Sequence, residues 1–119
     1  MPYVDGYVIA VPNANKEKYR AMAETVAASF KKHGANRVVE CWGDDVPEGK
    51  VTSFSMAVKR EETESIVFSW VEWPSKDMRD VGMKAAMDEM SSNADMKPED
   101  MPFDGKRMIF GGFQSIVDR

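Results

Sequence analysis

The strands of this chain are apolar on both of their sides, and that limits the folds open to it. In Tyr3 to Val11, side chains Tyr3, Asp5, Tyr7, Ile9 and Val11 alternate with Val4, Gly6, Val8 and Ala10. In Ser65 to Trp73, Ile66, Phe68 and Trp70 alternate with Val67, Ser69, Val71 and Trp73. Successive side chains of an extended strand leave on opposite faces. An antiparallel sheet wetted on one face shows polar residues there on strand after strand. Neither segment does, so both faces of the sheet need cover.

The helices between the strands can supply only half of it. Tyr19, Met22, Ala23, Val26 and Phe30 fall on one stripe at 100° per residue, which predicts an amphipathic helix over Lys16 to His33. Asn13 or Asn15 is placed to cap its start, and Gly34 to take the left-handed conformation at its end. Arg37 to Gly43 reads as a second strand, with Val38, Glu40 and Trp42 on one side. Asp44 to Lys50 reads as a turn, and Ser53 to Arg60 is too short to assign by period. Ser75 caps a second helix running from Lys76 to about Met90. Its expected inward stripe is Met78, Val81, Gly82 and Ala85, leaving Met83, Met87 and Met90 as a second apolar patch. Ser91 to Lys106 predicts a long loop that either roofs this patch or leaves it for a partner. Arg107 to Val117 predicts the last strand, with Gly111-Gly112 marking a bulge or a close backbone approach.

The order β-α-β-β-α-β, with no linker or repeat, predicts a single domain over residues 1–119. The fold class is α+β, a ferredoxin-like four-stranded antiparallel sheet. For a mass of 13.4 kDa the folded surface should be roughly 6,500 Å², enough burial for a core without disulfides. Two helices cover one face, and the simplest cover for the other is a second copy. Such a homodimer encloses cavities, and the residues alternating into them are the candidate pocket: Asp5, Tyr7, Glu40 and Trp42, with Trp70 as a further aromatic wall. Buried without a partner, Asp5 would carry a raised pKa and exchange protons; paired with Arg107 or another cation, it is a structural ion pair.

Other chemistry is sparse. Sixteen basic against twenty acidic residues give a net charge of −4, with +2 over residues 1–60 and −6 over 61–119, so a nucleic-acid partner is not expected. No apolar run approaches the ~20 residues of a membrane span, and no secretory signal is read, so the expected location is the cytoplasm. Cys41 is the single cysteine and His33 the single histidine, which leaves no metal-ligand spacing and no cofactor motif. A small ligand bound without a cofactor is the expectation.

Three stretches carry a resemblance: Tyr3-Val4-Asp5-Gly6-Tyr7, Phe68 to Lys76 (FSWVEWPSK), and Met101 to Phe113 (MPFDGKRMIFGGF). In these the chain resembles the YbaA-like bacterial proteins, a family of unknown function, over nearly its whole length. The resemblance implies a place in the dimeric α/β-barrel superfamily and carries over no catalytic residue. Some similar sequences bear names tying them to signal-recognition RNA, which this acidic chain does not support. Related barrels include cofactor-independent oxygenases, isomerases and haem-binding enzymes. Two functions follow as expectations: a homodimeric binding or accessory protein with a barrel pocket, or a cofactor-independent oxygenase or isomerase of a small, partly aromatic substrate, with Asp5 and Tyr7 moving protons. In the last motif Asp104 and Arg107 are expected to clamp the loop to the sheet or to present a cation to an acidic ligand.

Overall fold

Four strands, three helices and three single 3-10 turns make up the computed structural model, which describes residues 2–93 and 97–119. The elements are β1 (Tyr3–Pro12), α1 (Lys16–Lys32), β2 (Arg37–Trp42), α2 (Phe54–Ala57), β3 (Glu64–Trp73), α3 (Lys76–Ser91) and β4 (Ile109–Gln114). The sheet order is β2-β3-β1-β4 and every neighbouring pair is antiparallel. This is the ferredoxin-like arrangement. The sheet is open at β2 and β4 and does not close into a barrel within one chain.

Helices α1 and α3 lie on the same face. Beneath them stand Tyr3, Asp5, Tyr7, Ile9 and Val11 of β1 and their register partners Val67, Ser69, Val71 and Trp73 of β3. Phe30 meets the Trp73 indole edge-on at 6.0 Å, and Trp73 is fully buried. The sequence misplaced the inward stripe of α3. Gly82 faces the sheet as expected, but Met78 and Val81 are exposed, and Arg79, Met83 and Ala86 join Gly82 on the inner side. Arg79 turns inward because Asp5 receives it, and a cation in the stripe hides the true period.

Gly82 sets how closely α3 approaches the sheet. A Cβ there would run into the His33 carbonyl and the Trp73 indole. Gly82→Ala is expected to destabilise by about 1–3 kcal/mol through overpacking, exceeding the ~1 kcal/mol that alanine gains by helix propensity. A lowered melting temperature checks it, and a raised one would mean the helix has slack.

The other face is only partly sheltered. The segment the sequence left unassigned forms α2, capped by Ser53, whose Oγ accepts from the Met56 N–H at 3.0 Å. It covers one end of that face, where Val58 packs with Ala10 and Ile66. Beyond it, Val4, Gly6, Phe68, Trp70, Ile109 and Phe113 border a shallow groove of about 730 Å³. Phe68 is 44% exposed and Phe113 62%. The chain is a slab 39 × 38 × 20 Å with 7922 Å² of accessible surface, well above the roughly 6,500 Å² typical of this mass.

The end segments also differ from expectation. Asn15 stands at the N-cap position of α1 but makes no side-chain cap bond: its Nδ2 donates to the Pro102 carbonyl at 3.0 Å, and Asn13 accepts from the Ser65 hydroxyl. Arg107 lies in a 3-10 turn before β4, and β4 ends at Gln114 rather than Val117. Within the expected loop, residues 94–96 lie outside the described residues. Pro102 and Phe103 of it pack at α1, with Phe103 edge-on to Tyr19 at 5.8 Å. Gly112 is the close approach expected of the glycine pair, since a Cβ there would meet the Tyr3 phenol.

Candidate functional site

A polar row crosses the sheet beneath the helices. Tyr7 on β1 stands opposite Ser69 on β3, and Ser69 stands opposite Glu40 on β2. From α1, the buried Tyr19 reaches down and its hydroxyl donates to Glu40 Oε1 at 2.6 Å. Above this row lies a cavity of about 340 Å³ between α1, α3 and the sheet. Five of the chain's ten methionines, Met22, Met87, Met90, Met101 and Met108, line it together with Phe30 and Phe103. The methionine patch on α3 and the 97–108 segment thus meet over one space, Met83 and Met90 packing against the Phe30 cluster. On the outer side of the Tyr19–Glu40 pair is a second recess of about 280 Å³, where Lys16 Nζ sits 5.2 Å from the Trp42 ring centroid.

Burial sets the protonation of the row. The Tyr7 phenol is pushed up to about 12, chiefly by burial and then by the Asp5 charge, with Arg79 opposing. Burial, then the Glu40 charge, raises Tyr19 further still. Both are neutral phenols at physiological pH. Glu40 belongs to the edge strand and keeps solvent on one side, while its carboxyl tip turns in to Tyr19. Desolvation of that tip raises its pKa above the ordinary 4.5, outweighing the Tyr19 bond, which lowers it.

A raised folded pKa means that Glu40 favours the fold below its unfolded value of 4.5, and that this contribution is lost as pH rises through the folded value. Glu40→Gln keeps an acceptor for Tyr19 and removes the charge. Its melting temperature is therefore expected to exceed that of the parent at pH 7.5, with the gap closing on acidification to pH 4. Parallel melting curves across that range would disprove it.

The candidate residues divide between the two faces. Asp5, Tyr7, Glu40 and Trp42 all lie on the helix side, not on the face open to a second copy; only Trp70 is on the open face, its Nε1 donating to Glu72 Oε2 at 2.8 Å. Asp5 is 3% exposed, and its partner is Arg79, not Arg107. Arg79 Nη2 donates to Oδ1 at 2.7 Å, Nε donates to both oxygens at 3.1 Å, and Trp73 Nε1 donates to Oδ2 at 2.9 Å. A carboxylate held by these donors is unsuited to proton transfer.

Arg107 is similarly engaged. Its Nη1 and Nη2 donate to the two oxygens of buried Glu64 at 2.8 and 2.7 Å, Nη1 also donates to the Lys59 carbonyl at 2.8 Å, and Nε donates to Asp104 Oδ2 at 3.0 Å. The Arg107 bonds hold the Glu64 carboxyl below its ordinary value despite burial. These contacts leave little of the guanidinium for an acidic ligand.

Tyr19, Ser69 and the converging methionines are the residues that sequence reasoning missed as site members. Tyr19 was read as one more apolar residue of the α1 stripe. Its hydroxyl, in a stripe whose other members Met22, Ala23, Val26 and Phe30 carry none, is the available signal. Among the described residues no three His, Cys, Asp or Glu side chains gather as a metal site, and no helix is long and apolar enough to cross a membrane.

The family model described as "Protein of unknown function (DUF1428)" matches residues 2–105. The chain is 59% identical over 120 residues to the uncharacterized protein YbaA of Escherichia coli K12 and equally to that of Shigella flexneri, covering 99% of each chain. Among solved structures it is similar to a dimeric ferredoxin-like protein from an uncultured marine organism, with a TM-score of 0.58, 8% identity and 100% of both chains covered.

Proposed function

This chain belongs to the DUF1428 family, proteins of unknown function, and we propose that it acts as a homodimer that binds a small apolar ligand in the helix-side cavity of each copy. The observation that carries the ligand reading is the cavity itself. Its size falls at the lower end of ligand pockets, its lining is apolar, and a few polar groups converge on its floor, the usual composition of a small-molecule site. Methionine adapts to irregular ligands and contacts aromatic rings favourably, which fits an aromatic body.

Pairing rests on the open face. The marine neighbour is described as dimeric, but at 8% identity the likeness carries the fold alone. The surface here exceeds the norm for its mass by roughly 1,400 Å², more than the ~800 Å² per partner of a standard interface. Aromatic residues concentrate on it, as they do at interface centres. The pocket and the interface then occupy opposite sides of the sheet. Cys41 is a free, exposed thiol, which suits a reducing compartment, so the cytosol is the proposed location.

The oxygenase or isomerase alternative loses its proton carrier with Asp5 bound to Arg79 and Trp73. The binding reading is tested by a thermal-shift screen of small aromatic compounds, since a ligand that prefers the folded state raises its melting temperature. Hits should lose their effect in Ala23→Leu, which adds bulk where the cavity and the outer recess meet. Shifts that survive this substitution would place the ligand elsewhere.

A further inference from the structure

Resting on that cavity reading, we propose that the ligand is a protonated amine on an apolar, aromatic body, its ammonium held by Glu40 and its body packed among the methionines. The polar supply of the wall points this way. Tyr19 spends its proton on Glu40 Oε1, so Glu40 Oε2 and the lone pairs of the Tyr19 oxygen remain as acceptors. Tyr7 and Ser69 carry hydroxyls that can donate or accept. Among the described residues that line the cavity none carries a positive charge, and Glu40 is the one carboxylate. The missing positive charge belongs to the ligand.

The nearby cations do not change this balance. Lys16 stands over Trp42 in the outer recess, and Arg20 pairs with Glu17 at 3.4 Å. Arg79, near Tyr7, is committed to Asp5. An anion in the cavity would face a carboxylate with no counter-charge beside it, at a cost that grows with desolvation. A neutral donor would gain a hydrogen bond to the carboxylate but not the attraction between opposite charges. The rings of Phe30, Phe103, Tyr7 and Tyr19 add faces on which an ammonium is favoured.

The test uses the full chain and three probes sharing one apolar body: 4-phenylbutylamine, 4-phenylbutanol and 4-phenylbutanoate, titrated by calorimetry at pH 7.5. The amine is expected to bind at least about tenfold more tightly than the alcohol, and the carboxylate more weakly than either. Glu40→Gln should reduce the preference for the amine over the alcohol to within about twofold. Equal affinities for amine and alcohol, or an amine preference that persists in Glu40→Gln, would overturn the charge assignment and leave the cavity reading standing. If none of the three binds, or if Ala23→Leu binds them unchanged, the cavity reading itself fails and the amine goes with it.

Discussion

Arg107→Ala is expected to lower the unfolding free energy by about 2–4 kcal/mol, seen as a reduced denaturant midpoint at unchanged slope. Glu64 is 5% exposed, and both of its oxygens take hydrogen bonds from Arg107. Removing one partner of a buried pair strands the other, at about 3–5 kcal/mol when both are fully buried. The Arg107 side chain is 19% exposed, so water relieves part of that and the lower range applies. The substitution also frees the Lys59 carbonyl and the Asp104 carboxylate, loosening the turn that leads into β4. The acid limb offers a second check. Because the folded pKa of Glu64 is depressed, its stabilisation is present above the unfolded value of 4.5 and lost as pH falls through the folded one. Acid unfolding should therefore be shallower in Arg107→Ala. A midpoint within experimental error of the parent would show that the pair does not hold the fold.

If the chain pairs through its open face as proposed, introducing aspartate at both Phe68 and Phe113 is expected to convert the dimer of 13.4 kDa chains into a folded monomer at micromolar concentration. Both side chains already face solvent in the single chain, so neither change empties the core. In the pair, however, each would bury an unpaired carboxylate against a hydrophobic surface, at several kcal/mol. Sedimentation gives the mass, and circular dichroism shows whether the fold survives. If the parent chain itself sediments as a monomer, the open face has some other purpose and the pairing reading falls.

The elements were readable where local chemistry alone decides them. β1 and β3 announce themselves by two-sided apolarity, α1 by its stripe and Gly34, α3 by Ser75, whose Oγ accepts from the Met78 N–H at 3.2 Å. What stayed hidden depends on partners far along the chain. Asp5 and Arg79 are 74 residues apart, and without that pair the inward face of α3 is assigned to Met78 and Val81. Helix α2 spans four residues, fewer than the period needs. The candidate site was half legible. Glu40 and Tyr7 stand out as polar residues in apolar strands, but the strand pattern does not say which face the helices take. The sequence therefore leaves the side of the row open, and Tyr19, the residue that completes it, reads there as core.

Met108 and Ile109 are neighbours in sequence at the entrance to β4, yet one lines the methionine cavity and the other the open groove. The proposed occupancy on one side and the proposed self-association on the other meet at that stretch of backbone, and thermodynamic reciprocity ties any influence between them. If filling the cavity tightens the pair, pairing must improve uptake by the same factor, and dilution would then discharge the ligand.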